Sequence, residues 1–284
     1  MSAHRKLLGL ARAGSWHGAL LLLQRLQATG AEVTVFHYNV AVNACARGRS
    51  WERALELLVR CERQSVRADV ITHAAVLTAC ARGQEWSRAL HLFARMRQGV
   101  LQPDTVVYGS AVAACDRGEQ WLLAITLLAQ MPRACVPPSV VAYGAGISAC
   151  GRAGRWQWVL ALLTQAKQLG IALTLVAYSA AVLACARARQ WVAAVDLLGC
   201  MRESRVVPDP LTCNVVIIAC GGEPWQQVLG LLEAMQDQAV EPSTATCNAA
   251  ISSCRRGRQW QRALALLGLQ RSSAVLADAV THNA

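Results

Sequence analysis

Apolar residues recur along the chain in short periodic runs that polar residues and glycines separate. Between residues 35 and 69, two such runs have the three- and four-residue spacing of an amphipathic helix, from 38 to 45 and from 51 to 58. Gly48 interrupts the pattern between the two runs. This stretch therefore predicts a helix, a turn and a second helix that begins around Trp51.

The same stretch returns along the whole chain, and two uncommon residue types mark its period. Tryptophan occupies one place in each copy, at Trp16, Trp51, Trp86, Trp121, Trp156, Trp191, Trp225 and Trp260. Cysteine occupies another, at Cys45, Cys80, Cys115, Cys150, Cys185, Cys220 and Cys254. The step is 35 residues in both series, with the same single deletion near residue 222. A period of this length is typical of a solenoid or a repeat array.

These markers divide the chain into repeats with approximate bounds. They are residues 1–34, 35–69, 70–104, 105–139, 140–174, 175–209, 210–243 and 244–278, followed by residues 279–284 as the start of a further, truncated repeat. Each repeat packs only on its neighbours in such an array, so we predict one elongated solenoid domain over residues 1–278. Because the first and the last copies are incomplete, we expect the sequence to be part of a longer array.

Other recurring residues predict how the helices end and pack. Gly83, Gly118 and Gly257 share the place of Gly48, which predicts a helix end in the left-handed conformation. Proline precedes the last residue of several repeats and predicts the end of the second helix, at Pro103, Pro138, Pro208 and Pro242. We expect each periodic tryptophan to pack between the two helices of its own repeat, and Trp158, outside the period, to lie on the surface.

The composition favours a tightly packed helical core and gives no sign of catalysis. Hydrophobic residues make up 54% of the chain, with two Phe and four Tyr, so Ala, Leu, Val and Cys must form the core. The seven periodic cysteines predict buried thiols in a reducing compartment. We find no CxxC pair, no HExxH motif and no phosphate-binding loop. The sequence therefore predicts no metal, no cofactor, no small-molecule substrate and no enzyme active site.

The charge points to a polyanionic partner. The formal net charge is +11, from 28 Lys and Arg against 17 Asp and Glu. One repeat position carries arginine almost throughout, and we call this set the arginine row: Arg12, Arg47, Arg82, Arg117, Arg152, Arg187 and Arg256. Gly222 is the exception. Stacked repeats would align these guanidinium groups at the C-terminal ends of the first helices, where they could contact successive phosphates; helix capping is the alternative role.

The repeat resembles a pentatricopeptide repeat. Residues 35–69 open with Val-x-x-Tyr-Asn and contain Ala-Cys-Ala-Arg-Gly, other copies close with Pro-Asp, and the resemblance covers the whole chain. It implies an all-α fold, a right-handed α-solenoid of about eight 35-residue helix-turn-helix repeats. It also implies sequence-directed binding of single-stranded RNA, one base per repeat. The tetratricopeptide repeat, which is similar in length but has different marker residues, suggests the alternative of a protein-binding scaffold.

In that family the fifth and the last residue of a repeat contact the base, and we call them the reader pair. The resemblance implies these reader pairs: Asn39 with Asp69, Ala74 with Asp104, Gly109 with Ser139, Gly144 with Thr174, Ser179 with Asp209, Asn214 with Ser243, and Asn248 with Asp278. Ala and Gly offer no hydrogen bond, so three of the seven pairs are weak. By the family's pattern the last three pairs favour G, C and U. Asn at the fifth place could alternatively be a helix N-cap.

The resemblance implies two further sets of properties. Apolar second residues of adjacent repeats would clamp each base, and we call them the clamp row: Phe36, Ile71, Val106, Val141, Val176 and Leu211, with Ala245 at the same place. The family further implies an adaptor in RNA processing, editing, stability or translation, with RNA-processing proteins as additional partners and no membrane partner. Its members mostly act in organelles, which suggests a chloroplast or a mitochondrion.

Overall fold

The structure is a computed structural model that describes residues 9, 15–29, 33–64, 66–99, 101–220, 225–237 and 243–272. Within these ranges the chain forms fifteen α-helices and no strand. None of the helices in the described ranges is long and apolar enough to span a membrane. The prediction of an all-α chain is thus confirmed.

The helices alternate between two classes, as the apolar pattern predicts. The first helices of the repeats are Val35–Arg47, Val70–Arg82, Thr105–Arg117, Val140–Arg152, Leu175–Arg187, Pro210–Cys220 and Thr244–Arg256. The second helices are Trp16–Ala28, Trp51–Arg63, Trp86–Gln98, Trp121–Arg133, Trp156–Gln168, Trp191–Glu203, Trp225–Asp237 and Trp260–Ser272. Every second helix begins at the periodic tryptophan, which confirms the predicted start.

The chain divides into two compact units, Met1–Ala149 and Cys150–Ala284. In the first unit the first helix Val70–Arg82 packs between Val35–Arg47 and Thr105–Arg117, and also contacts the second helices on either side of it in sequence. Helices of neighbouring repeats therefore form a continuous stack within this unit. This arrangement is that of an α-solenoid.

The second unit repeats the arrangement. Its first helix Pro210–Cys220 contacts Leu175–Arg187 on one side and Thr244–Arg256 on the other. The second helices Trp191–Glu203 and Trp225–Asp237 also pack on it. The predicted solenoid of helix-turn-helix repeats is confirmed in each unit.

The core of the stacked helices consists of small and aliphatic side chains. All seven periodic cysteines are buried and in the thiol form, as predicted: Cys45, Cys80, Cys115, Cys150, Cys185, Cys220 and Cys254. Alanine and valine share this layer; for example, Ala44, Val76 and Ala114 have no exposed surface. Trp158, by contrast, is 47% exposed, in agreement with its position outside the period.

The glycine that ends a first helix does not adopt the left-handed conformation, so that prediction is wrong. Gly83 has a φ of −81°, whereas the next residue, Gln84, has a φ of 65°. The backbone N–H of Glu85 then donates to the carbonyl of Cys80 at 3.0 Å, which closes a Schellman turn. The left-handed position is therefore one residue later than predicted and holds a non-glycine residue.

Close packing explains the glycine instead. A Cβ on Gly83 would overlap the indole ring of Trp51, and one on Gly118 would overlap that of Trp86. These tryptophans therefore contact the first helix of the following repeat, a contact that the prediction of packing within their own repeat did not include. The guanidinium of Arg88, from the second helix of the following repeat, also lies over the Trp51 ring, 4.3 Å from its centre.

Candidate functional site

The fifth and the last residue of the repeat 35–69 are in direct contact. Asn39 lies on the first helix Val35–Arg47, and its Nδ2 donates to both carboxylate oxygens of Asp69 at 3.2 Å each. Asp69 stands 30 residues further on, just before the next first helix. The stacking of neighbouring first helices thus brings the two members of this reader pair into contact.

The last residue of a repeat is the N-cap of the following first helix. Side-chain oxygens accept from the backbone N–H three residues later in five reader pairs, at 2.7 Å for Asp69, 2.8 Å for Asp104, 3.2 Å for Ser139, 2.9 Å for Asp209 and 3.2 Å for Ser243. Thr174 stands at an N-cap without such a bond. Asn39 lies inside its helix, so the alternative that the fifth residue caps the helix is wrong.

Asp69 remains charged because several donors surround it. Burial alone would raise its pKa, but hydrogen bonds from the Thr72 hydroxyl, the Thr72 backbone N–H and the Asn39 amide favour the carboxylate. The pKa of Asp69 is therefore lowered from its ordinary value. This reader pair presents an amide and an ionised carboxylate together.

A threonine that sequence reasoning missed joins the two members of three reader pairs. Thr72 Oγ1 lies 2.5 Å from Asn39 Oδ1 and 2.7 Å from Asp69 Oδ1. The other two are Thr212, between Ser179 and Asp209, and Thr246, between Asn214 and Ser243. Each is the third residue of its repeat. The sequence contains a signal for it, since threonine follows polar fifth residues at this spacing.

In the reader pairs whose fifth residue is alanine or glycine, that residue has no side-chain group to bond to the last residue. Ala74 is buried and Asp104 is exposed. Gly144 has open space where a Cβ would stand. Asn248 lies half-buried on Thr244–Arg256, while Asp278 lies outside the described residues. Gly144 therefore leaves open space beside its first helix.

A cavity of about 430 Å³ shows how the three predicted sets of residues meet in the first unit. It is lined by the reader pair Gly109 and Ser139, by Val106 and Val141 of the clamp row, by Arg82 and Arg117 of the arginine row, and by Thr78, Ala81, Thr105, Ser110 and Ala113. Its volume is in the range of sites that hold small organic molecules. Apolar, polar and cationic groups thus converge on one recess.

The apolar side chains of the clamp row are exposed. The exposed fraction is 39% for Phe36, 61% for Ile71 and Val106, 67% for Val141, 76% for Val176 and 69% for Leu211. Ala245 is exposed as well. One exposed apolar residue at the same place of every repeat is a pattern that the core does not require, and it leaves a row of apolar surfaces available to a ligand.

The arginine row ends the first helices, as predicted. Arg47, Arg82, Arg117, Arg152 and Arg187 are each the last residue of their helix and are exposed. Arg82 also donates to the carbonyl oxygen of Ala46 at 3.3 Å, so it contributes to capping. Arg256 is the last residue of the helix Thr244–Arg256, and Arg12 lies outside the described residues.

Three family models match the chain, and all of them describe one kind of repeat. A pentatricopeptide repeat domain matches residues 56–117, a pentatricopeptide repeat-containing protein matches 146–268, and a PPR repeat matches 36–66. The chain belongs to the pentatricopeptide repeat family. No curated protein matches the sequence.

Solved pentatricopeptide repeat structures have the same fold. The crystal structure of PPR10 from maize has a TM-score of 0.61 at 24% identity and covers 100% of this chain. This chain spans 46% of that protein. The PPR domain of Arabidopsis thaliana protein-only RNase P 1, solved in complex with tRNA, has a TM-score of 0.54 at 19% identity and covers 66% of this chain and 95% of its own.

A further structure of PPR10 contains an 18-nt psaJ RNA element. It has a TM-score of 0.49 at 24% identity, and it covers 99% of this chain and 45% of its own.

Buried periodic thiols of this pentatricopeptide repeat array are poor nucleophiles. Burial raises the pKa of Cys45 and Cys80 to about 11 and that of Cys115 to about 12, so they stay protonated at neutral pH. The described residues contain no group of His, Cys, Asp and Glu that could hold a metal ion. The chemistry on display is hydrogen bonding, apolar contact and positive charge.

Proposed function

We propose that this pentatricopeptide repeat array binds single-stranded RNA in the groove beside its first helices. The observation that carries the proposal is the cavity at Gly109 and Ser139, where the clamp row and the arginine row meet. A nucleotide presents an apolar base face, polar base edges and an anionic phosphate, and the cavity offers a partner to each. The RNA-bound state of the structurally similar tRNA-binding PPR domain supports the same assignment.

The arginine row binds the phosphates. Arg82 and Arg117 line the same cavity and are one repeat apart, so an extended strand passes one guanidinium per repeat. If some four to six such contacts form, the affinity falls with salt at a log-log slope of about −3 to −4. The net charge of +11 strengthens the attraction along the strand.

The clamp row and the reader pairs contact the bases. Val106 and Val141 flank the cavity and pack on base faces, whichever base is present. Asn214 with Ser243 and Ser179 with Asp209 supply donors and acceptors to base edges. The pairs with Ala74, Gly109 and Gly144 tolerate any base, so selectivity resides in the polar pairs and the later repeats favour G-C-U.

The array acts as a binding protein and not as an enzyme. It presents a transcript segment for processing, editing, stabilisation or translation, together with RNA-processing proteins, in a chloroplast or a mitochondrion. The organellar setting follows from the family alone. A protein-binding scaffold is the competing function, and the three weak reader pairs are the feature that favours it.

The experiment is a fluorescence-anisotropy titration of the chain with short single-stranded RNAs and the matching DNAs at two salt concentrations. We expect binding to RNA that weakens steeply with salt and favours G-C-U. The variant Arg82→Ala/Arg117→Ala should weaken all RNAs alike and reduce the slope by about 1 to 1.5. Asn214→Ala should instead relax the preference at one base.

The matched control is Arg53→Ala/Arg95→Ala, which removes the same charge from the second helices, where both arginines are exposed. We expect a much smaller change in slope. Equal changes in slope for the two double variants would contradict binding in the groove. They would indicate that RNA is attracted by the overall positive charge of the chain. A wild-type chain that binds neither nucleic acid would favour the protein scaffold.

A further inference from the structure

We propose that Thr72, Thr212 and Thr246 are positioning residues that fix the direction of hydrogen bonding in their reader pairs and thereby select the base. The inference rests on the proposed function, because it concerns how the same groove distinguishes one base from another. The threonines themselves are buried, with exposed fractions of 0%, 3% and 0%, so they act through the side chains that they hold.

The repeat with Asn214 shows the direction of the hydrogen bonds. Thr246 Oγ1 donates to Asn214 Oδ1 at 2.5 Å. A hydroxyl has one proton, so the contact of 2.8 Å between Thr246 and Ser243 must have Ser243 as its donor. The amide oxygen of Asn214 is thus engaged inside the protein, and the side chain meets a base with its N–H donors.

The repeat with Ser179 has the opposite polarity. Thr212 Oγ1 donates to the carboxylate of Asp209, which can only accept. The proton in the contact of 2.8 Å between Ser179 and Thr212 must therefore come from Ser179. With its proton directed at Thr212, Ser179 meets a base with an oxygen lone pair. Threonine at the same place of the repeat thus makes Asn214 a donor to the base and Ser179 an acceptor.

The repeat with Asn39 combines both partners. Thr72 lies within hydrogen-bond distance of Asn39 Oδ1 and Asp69 Oδ1, and Asn39 Nδ2 donates to Asp69. A rotation of the amide by 180° would bring its oxygen against the carboxylate, which is repulsive. The single proton of Thr72 is shared between these two acceptors, so the bond from Asn39 Nδ2 to Asp69 fixes the orientation of the amide and Thr72 supports it.

The sequence pairs this threonine with polar fifth residues throughout. Where the fifth residue is Ala74, Gly109 or Gly144, the third residue of the following repeat is Val107, Ala142 or Ala177. Where the fifth residue is Asn39, Ser179 or Asn214, it is a threonine. The remaining pair follows the same rule, since Thr281, outside the described residues, stands in that place after Asn248.

Helix capping does not account for the threonine. Asp104 caps the helix Thr105–Arg117 by accepting from the backbone N–H of Val107 at 2.8 Å, and valine there has no hydroxyl. The cap of Asp209 on Thr212 has nearly the same length, 2.9 Å. The cap therefore does not require the hydroxyl. That of Thr72 also completes a capping box by accepting from the backbone N–H of Asp69 at 3.3 Å. In all three repeats the hydroxyl adds the bond to the fifth residue, which capping alone does not explain.

The test compares Thr246→Val with Thr246→Ser in the full chain. Each variant is titrated with four RNAs that differ only in the base opposite Asn214, and thermal unfolding is followed by circular dichroism. Valine removes the hydroxyl, so the Asn214 amide can turn either way. We expect discrimination among the four bases to fall about three- to tenfold, the equivalent of one lost hydrogen bond. Serine should retain it.

Thr126→Val is the matched control, because the Thr126 hydroxyl donates to the Leu123 carbonyl oxygen on a second helix. It should leave base discrimination unchanged. Unchanged discrimination in Thr246→Val, or an equal loss in Thr246→Ser, would overturn the positioning role. If Thr246→Val unfolds, the same measurement is made with Thr212→Val and four RNAs that differ in the base opposite Ser179. A wild-type chain that binds no RNA would instead overturn the proposed function.

Discussion

Asp69 illustrates how one residue serves both folding and the groove. It caps a helix, accepts from Asn39 and Thr72, and has a lowered pKa because these donors outweigh its burial. A carboxyl group whose folded pKa is depressed stabilises the fold above its unfolded pKa. That contribution disappears as the pH falls through the folded pKa.

We therefore expect the wild-type chain to lose more stability than Asp69→Asn when the pH is lowered from about 6 to about 3. Urea unfolding followed by circular dichroism measures the difference. Asp196→Asn is the control, since Asp196 is exposed on the second helix Trp191–Glu203. Parallel pH profiles for wild type and Asp69→Asn would show that the carboxylate contributes nothing to folding.

At this scale the sequence predicted positions better than contacts. The repeat placed Asn39 on one first helix and Asp69 just before the next, and stacking made them neighbours. Sequence reasoning missed Thr72, because the pairing of this threonine with a polar fifth residue extends from one repeat to the next. Its role depends on a side chain 33 residues earlier, which a search within one repeat does not connect to it.

The turn between the first and the second helix shows where element-level prediction failed. A recurring glycine after a helix usually indicates a left-handed residue. Here Gly83 has a negative φ and Gln84 takes the left-handed position. The glycine is needed because Trp51 of the preceding repeat lies where a Cβ would stand. The contact with the preceding repeat, and not the local backbone conformation, therefore requires glycine at position 83. A rule that considers only the residues around a helix end cannot predict this contact.

Substitution of alanine at two glycines tests this explanation. Gly83→Ala should destabilise the chain by about 1–3 kcal/mol, because the Trp51 ring must move from its contact. Gly199→Ala lies within a second helix and has open space at its Cβ, so it should stabilise the chain by about 0.5–1 kcal/mol. Urea unfolding curves measure the change in the free energy of unfolding for each variant. A stabilising Gly83→Ala would mean that the ring does not occupy this space.

At the scale of the whole molecule, the buried layer and the proposed binding groove lie on different surfaces of the same first helices. The periodic cysteines and alanines join neighbouring helices, whereas the clamp row and the arginines from Arg47 to Arg187 are exposed. The 35-residue period predicted the buried cysteines and the aligned arginines, because residues with a constant place in the repeat acquire a constant place in the stack. The clamp row was implied by the resemblance to the family. A substitution in the buried layer should therefore affect folding of the array, and one in the groove should affect binding.

Two cysteines of the first unit allow a direct test of the buried layer. Cys115 has no exposed surface and Cys135 is exposed. Cys115→Asp would bury a carboxyl group among apolar helices and should lower the free energy of unfolding by about 3 kcal/mol or more. Cys135→Asp should change it by less than about 0.5 kcal/mol, since Cys135 has a φ of 54°, a conformation that aspartate tolerates.

Amide hydrogen exchange measures how far the destabilisation by Cys115→Asp extends along the stacked helices. Thr105–Arg117 packs on Val70–Arg82, and these two helices share the layer that contains Cys115. Stability in a repeat array depends on interfaces between neighbours, so Cys115→Asp should accelerate amide exchange in Val70–Arg82 as well as in its own helix. Cys115→Ala, which adds no charge, should produce a much smaller change. Faster exchange confined to Thr105–Arg117 would contradict coupling through the stack and indicate repeats that unfold independently.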